Sequence, residues 1–186
     1  MNPILLDFPN EFTTERLLIR SPLPGDGKAV HEAIMVSRAE LKKWLPFAVN
    51  DQSINQVEEN IRESHVKFLK REDLRMLIFH KETGEFIGST GLHRIDWDVP
   101  RFEIGYWLDT RHGGKGYMIE AAVGLTSFAF NELKARRVEI RVDTRNVKSR
   151  AIPEKLGFEL EGIIRNDGLA VDGSGLRDTC IYGKIK

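Results

Sequence analysis

From Arg101 to Leu108 the chain alternates: Phe102, Ile104, Tyr106 and Leu108 fall on one face, and Glu103, Gly105 and Trp107 on the other. A period of two predicts a strand. The period then changes to that of a helix. Met118, Ala121, Ala122, Leu125, Phe128, Ala129 and Leu133 form a broad apolar stripe on a helix beginning near Gly116. Val138, Ile140 and Val142 alternate again. Strand, helix, strand predicts a right-handed crossover to a parallel neighbour. Upstream, Leu17 to Arg20 reads as an opening strand, and Pro24-Gly25-Asp26-Gly27 breaks the chain before a helix to about Val36. Ser53 is an N-cap for a helix whose apolar face carries Ile54, Val57, Ile61, His65, Phe68 and Leu69. Leu74 to Phe79 and Phe86 to Leu92 are apolar runs joined through Gly84, which predicts a hairpin. A short helix from Asn146 to Leu156 ends at Gly157, and strands flank a polar loop from Val171 to Arg177.

The chain has 186 residues, which suits one domain spanning 1–186. No apolar run approaches the roughly 20 residues of a membrane helix, and Met1 to Asn10 lacks the pattern of a secretory signal. Cys180 is the sole cysteine, so no internal disulfide forms, which fits a reducing cytoplasm. Lys plus Arg and Asp plus Glu balance at 28 each, which gives nucleic acid no attractive field. His31, His65, His80, His93 and His112 are scattered without metal-ligand spacing, so no metal is expected. A homo-oligomer is left open.

Between the alternating strand and the amphipathic helix lies Arg111-His112-Gly113-Gly114-Lys115-Gly116-Tyr117. Glycines here let the backbone turn tightly and aim several N–H groups one way, and the helix adds its positive N-terminal end. That is a cradle for a phosphorylated ligand, although a plain strand-to-helix turn has the same composition. A P-loop puts Ser or Thr directly after Gly-Lys, where this chain has Gly116. The dinucleotide fingerprint puts a third glycine where Ile119 stands. The remaining spacing is Arg-x-x-Gly-x-Gly at Arg111, Gly114 and Gly116.

This loop resembles the pyrophosphate loop of the GNAT superfamily of N-acetyltransferases, which holds coenzyme A. Four further stretches are similar to the RimJ/RimL branch, whose members acetylate N-terminal amines of ribosomal proteins: Thr14-Glu15-Arg16-Leu17-Leu18-Ile19-Arg20, Leu41 to Phe47 with Trp44-Leu45-Pro46, Glu103 to Leu108 leading into the loop, and Asn146-x-x-Ser149 ahead of Glu154-Lys155-Leu156-Gly157-Phe158. The resemblance implies an α/β (α+β) fold: a mixed, mostly antiparallel, splayed sheet with helices on both faces. It also implies acetyl-CoA as cosubstrate, a primary amine as acceptor, most simply a protein N-terminus, and direct transfer in a ternary complex.

Residue by residue, the resemblance places the pyrophosphate on the N–H groups from Arg111 through His112, Gly113, Gly114, Lys115 and Gly116 to Tyr117. It places the pantetheine arm along Tyr106, Trp107 and Leu108. Asn146 resembles the position that binds this arm, and Ser149 the hydroxyl that protonates the thiolate; helix capping explains both equally well. Pro153, four after Ser149, has no N–H to return to the Ser149 carbonyl. Glu103 is the first candidate base, against a structural or solvated glutamate. The branch carries a further glutamate after its last Glu-Gly. Here the nearest carboxylate is Asp167, in Arg165-Asn166-Asp167-Gly168, a substitute or a turn residue. Trp44, Leu45 and Phe47 would wall the acceptor groove, or simply pack between helices, and His93 could line it. Cys180, in an apolar terminal strand, reads as packing. An N-terminal amine has a reference pKa of about 7.7 to 8.0 against about 10.4 for lysine, so deprotonating it costs roughly 3 kcal/mol less and one modest base suffices. A small polyamine or aminoglycoside acceptor stays open, helped if Asp96, Asp98 and Asp172 converge, as does a non-catalytic acyl-CoA-binding protein.

Overall fold

The computed structural model describes residues 2–186. Strands β1 (Glu11–Thr13) and β2 (Leu17–Arg20) precede helices α1 (Gly27–Leu41) and α2 (Ile54–Lys70). The hairpin β3 (Leu74–His80) and β4 (Phe86–Asp96) follows, then β5 (Arg101–Leu108), α3 (Tyr117–Asn131), β6 (Arg137–Asp143), α4 (Val147–Lys155), β7 (Glu159–Leu169) and β8 (Leu176–Ile185). The strands form one sheet ordered β1-β2-β3-β4-β5-β6-β8-β7, antiparallel except between β5 and β6.

Most predicted elements recur with small shifts. The first helix runs on to Leu41 because its buried face continues through Ser37 past the exposed Val36, so a polar residue interrupts the apolar spacing without ending the helix. Strand β4 reaches Asp96 because His93 still pairs with Glu103, and Asp96 with Arg101, across its polar end. Ser53 caps α2 through a capping box with Gln56. The unexpected strand β1 brings Phe12 to 5.1 Å from Phe128 of α3.

The two sheet faces carry separate cores. Met118, Ala121, Leu125 and Ala129 of α3 pack with Ile104 of β5 and Ile140 of β6 on one face. On the other, Val30 and Ile34 of α1 and Val57 and Ile61 of α2 pack on Leu77, Phe86 and Trp107. The alternation of β5 therefore divides two cores, with Ile104 on one and Trp107 on the other.

Glu120, in the first turn of α3, ties that helix to the opening strands. It accepts from Thr14 Oγ1 (2.6 Å), Arg16 N (2.8 Å) and Arg16 Nε (2.7 Å). Burial pulls its carboxyl upward, but the hydrogen bonds from Thr14 and Arg16 outweigh this and hold the pKa below the ordinary value. A lowered carboxylate stabilises the fold above its unfolded pKa, about 4.3, and that contribution disappears as pH falls through the folded value. Glu120→Ala should cost about 1–3 kcal/mol in urea unfolding at pH 7, because Arg16 and Thr14 lose their acceptor. The deficit relative to wild type should shrink below about pH 4.

Candidate active site

Strand β5 is the axis of the site. It pairs with β4 from Glu103 through Leu108, but with β6 only at Arg101, Phe102 and Glu103. Beyond Glu103 the parallel strands separate, and residues Ile104 to Leu108 have one edge without a strand partner. The glycine-rich loop follows directly. Gly114 and Gly116 have φ of 75° and 78°, the left-handed region that glycine enters at little cost. The first backbone hydrogen bond into α3 is Glu120 N to Gly116 O at 3.1 Å, and the N–H groups from Gly114 to Ile119 have no acceptor among the described residues. Exposed donors at a helix N-terminus form an anion cradle.

The loop side chains are largely committed to holding it in place. Asp109 is fully buried and accepts from Arg111 N (2.9 Å), Nε and Nη2 (2.6 Å). Burial drives the Asp109 carboxyl up, but the Arg111 bonds prevail and keep its pKa low. Arg111 also donates to Glu32 at 2.8 Å, so its guanidinium is already ion-paired. His112 is 4% exposed, has neither ring nitrogen hydrogen-bonded and packs edge-on to Tyr117. Gly113 closes the turn onto Thr110 O. Among the described residues the Lys115 ammonium has no carboxylate or hydrogen-bond partner, and it is the loop cation free to meet a phosphate.

Across the opening stands α4. Asn146 Oδ1 accepts from Ser149 N at 3.1 Å, so its oxygen caps the helix and leaves its amide NH₂ uncommitted. The Ser149 carbonyl, which Pro153 cannot bond, accepts from Tyr106 Oη at 2.9 Å, and Ser149 Oγ donates back to Tyr106 Oη at 3.3 Å. Burial pushes the Tyr106 phenol up to about 12, so it stays protonated at neutral pH.

A cavity of about 700 Å³ opens on the other face of the same strand, bordered by Gly105, Tyr106 and Trp107 of β5 and by α1 and α2. Leu45 and Phe47 line it; Trp44 is half-buried beyond the end of α1 and does not. Trp107 sits between Phe47 and Phe86, with ring centroids 6.0 and 5.7 Å away. Half-buried Leu108 packs with the α3 core. His93 lines the cavity, and its Nδ1 lies 2.7 Å from Asp73 Oδ2. Its ring lies over a glycine floor: a Cβ at Gly91 would fall 2.9 Å from Nε2, and one at Gly105 3.2 Å from the same atom.

Glu103 is the register partner of His93 and, on the other side, of Glu139, at the point where the strands separate. Its side chain is 17% exposed, with Arg94 Nε 3.4 Å away and Oε2 lacking any hydrogen bond. Burial raises its pKa despite Arg94 and Arg141, and Glu139 raises it further. Asp167 lies in β7, 3.2 Å from Arg141 Nη2, and the nearby Thr179 hydroxyl and the Arg141 charge hold its pKa low. It reaches the Glu103 region only through Arg141. Asp96 ends β4, Asp98 sits in the turn to β5 and Asp172 in the β7–β8 turn; none borders the cavity. Cys180 is buried in the α3-side core. Among the described residues no cluster of His, Cys, Asp or Glu could hold a metal ion, and no helix is long and apolar enough to cross a membrane.

The family described as acetyltransferase (GNAT) domain matches residues 16–159, from the arginine that binds Glu120 to the first residue of β7. The chain belongs to the GNAT acetyltransferase family. A provisionally named ribosomal N-acetyltransferase of Bacillus subtilis (strain 168), YdaF, is 35% identical over 173 residues, covering 92% of each chain. The ribosomal-protein-serine acetyltransferase of Escherichia coli (strain K12) is 32% identical over 77% of this chain and 80% of its own. In fold, the chain is similar to RimL, a ribosomal L7/L12 alpha-N-protein acetyltransferase solved with coenzyme A: TM-score 0.85, 22% identity, 92% and 95% coverage.

Several residues of this GNAT site had no readable signal in the sequence. Ser37, in mid-helix, accepts from Thr110 N at 2.8 Å and anchors the loop. Asp109 looks like any loop acid until its complete burial is seen. Asp73 precedes, and Arg75 interrupts, an apolar run that reads only as strand. A partial signal did exist for Gly91 and Gly105: glycine inside a strand marks a close approach, here by the His93 ring.

Proposed function

We propose that this N-acetyltransferase uses acetyl-CoA to acetylate the N-terminal α-amine of a protein or peptide, by direct attack in a ternary complex. One observation carries the reading: the opened β5 edge and the 700 Å³ cavity meet along the same residues, Gly105 to Trp107. A donor laid in the splay and an amine entering the cavity would then come together at one strand.

The residues present fit acetyl-CoA. The unpaired N–H groups of Gly114 to Ile119 suit its pyrophosphate, with Lys115 adding charge, and the free β5 edge and the Asn146 amide suit its pantetheine arm. When bound, acetyl-CoA supplies a thioester carbonyl that a neutral amine can attack. Backbone N–H groups on the open edge of β5 polarise that carbonyl. The proton leaving the amine would reach Glu103 across a bridging water, its raised pKa suiting it to accept one, while His93, whose orientation Asp73 fixes, lines the approach. Tyr106 Oη is anchored on the Ser149 carbonyl, and Ser149 Oγ, whose 3.3 Å bond to Tyr106 is long, would turn its proton toward the departing sulfur. Tyr106→Phe should lower kcat about tenfold with KM for acetyl-CoA little changed, since the Ser149 carbonyl loses its donor and Ser149 Oγ its anchor, each bond worth about 0.5–1.5 kcal/mol. Steady-state kinetics would check this; an unchanged kcat would remove Tyr106 from the chemistry.

The reading is tested by thiol release from acetyl-CoA with peptides whose α-amine is free or blocked, alongside polyamines. Release that requires the free α-amine is the expected result. Release with polyamines alone would replace it with a small-amine enzyme.

A further inference from the structure

Arg75 is a part-buried cation on the cavity wall with no anion to match it. Its Nε donates to Ser89 Oγ (3.2 Å), and Nη1 donates to Asn60 Oδ1 (2.6 Å) and Ser64 Oγ (3.3 Å). All three partners are neutral. Arg20, Arg111, Arg137 and Arg145 each meet an aspartate or glutamate, whereas no carboxylate among the described residues comes within 4.0 Å of Arg75. Its Nη2 has no hydrogen-bond partner. Burial lowers the Arg75 pKa, and the Asp73 carboxylate, beyond contact distance, only partly offsets this. Three oriented acceptors fix the guanidinium in place and leave one edge of its fork for something that is absent from the chain itself.

We propose that Arg75 forms an anion subsite in the acceptor cavity, recognising a carboxylate close to the reactive amine. This rests on the acetyltransferase reading and extends it to the chemical class of the acceptor. The register supplies the distance. Arg75 pairs with Gly91, and Gly91 with Gly105, so the arginine lies two strands, about 10 Å, from the β5 position where the amine must arrive. An extended arginine covers more than half of that span. The carboxylate therefore belongs to the amine-bearing residue or its neighbour: an acidic side chain at the first or second position of a peptide, or the α-carboxylate of a free amino acid. Glu59 and Glu63 of α2, together with His93, border the same cavity. A polyamine would satisfy those acids while placing positive charge against Arg75. The two N–H groups of Arg75 Nη2 are the donors left for that carboxylate, because Nε and Nη1 are spent on Ser89, Asn60 and Ser64, an anchoring that lysine cannot copy.

The test is calorimetric titration of the coenzyme A-saturated protein with peptides identical except for Asp or Asn at residue two, and with free glutamate against glutamine. The expected result is binding of the acidic member of at least one pair about 10- to 100-fold tighter, the range for a hydrogen bond to a charged group. The pair that discriminates identifies the source of the carboxylate. Arg75→Gln should bring the ratio close to one, while coenzyme A affinity, set on the other face of β5, stays unchanged and reports a folded protein. If that variant fails to fold, Arg75→Lys should keep the charge and lose most of the ratio. Equal affinity within both pairs for the wild type, or an undiminished ratio in Arg75→Gln, would overturn the proposal. Turnover with acetyl-CoA is measured separately: acidic preference without turnover would retain the subsite and defeat the acetyltransferase reading, and turnover without preference would do the reverse.

Discussion

Glu103→Gln is expected to lower kcat by about 10²- to 10³-fold, within the range of general acid–base catalysis, while leaving thermal stability unchanged or slightly higher. The two effects diverge because of where the carboxylate sits. Oε2 is buried without a hydrogen bond, and the residue directly across the register is another glutamate. Burial and Glu139 both raise the pKa, so the folded state binds this proton more tightly than the unfolded chain does. Such a group favours folding at low pH, and its contribution is lost as pH rises through the folded pKa. Neutral glutamine removes that penalty at neutral pH. A glutamate present only for structure would behave in the opposite way, with stability falling on substitution and activity following it. The pH profile gives a second readout. Wild-type kcat/KM should fall on the acid side through an ionisation above the ordinary glutamate range, and the variant should lose that limb. Stopped-assay kinetics from pH 5 to 9 and a thermal melt would measure both.

Substituting valine at both Gly114 and Gly116 is expected to weaken coenzyme A binding by roughly 30- to 1000-fold. Neither position is crowded: a Cβ at Gly114 meets nothing within 4 Å, and one at Gly116 meets only the Arg16 side chain, at 3.6 Å. The obstacle is the backbone. At φ of 75° and 78° a β-branched residue costs about 1–2 kcal/mol at each position, and relief comes by rotating the peptide planes that aim the N–H groups. The strain therefore falls on the cradle itself. Lys115→Ala should cost less than about tenfold, because a cradle built from backbone donors retains most of its hold when one flexible side chain is removed. Equilibrium dialysis of coenzyme A against the three proteins would rank them.

That contrast also explains which parts of the site could be read from the sequence. The loop was legible because its function lies in backbone conformation, and left-handed turns select glycine. The β5 alternation was legible because each of its faces meets a different core. Pro153 was legible in the same way, since a missing N–H four residues after Ser149 predicts a free carbonyl, and Tyr106 fills it. The acceptor cavity was not legible. Its polar residues come from α2, β3 and β4, and meet only through a register that no local pattern encodes. His93 drew notice as a histidine, but its partner Asp73 and the two glycines beneath it gave no sign of converging there. Arg111 was legible as the first residue of the glycine spacing, but the buried Asp109 that holds its side chain is recognisable only from the fold.

The most direct measurement uses one peptide carrying both a free α-amine and an internal lysine, incubated with the protein and acetyl-CoA and mapped by fragmentation mass spectrometry. Acetyl on the α-nitrogen, absent from the lysine and lost with Glu103→Gln, is the predicted result. Acetyl confined to the lysine Nζ, or equal labelling with Glu103→Gln, would contradict it.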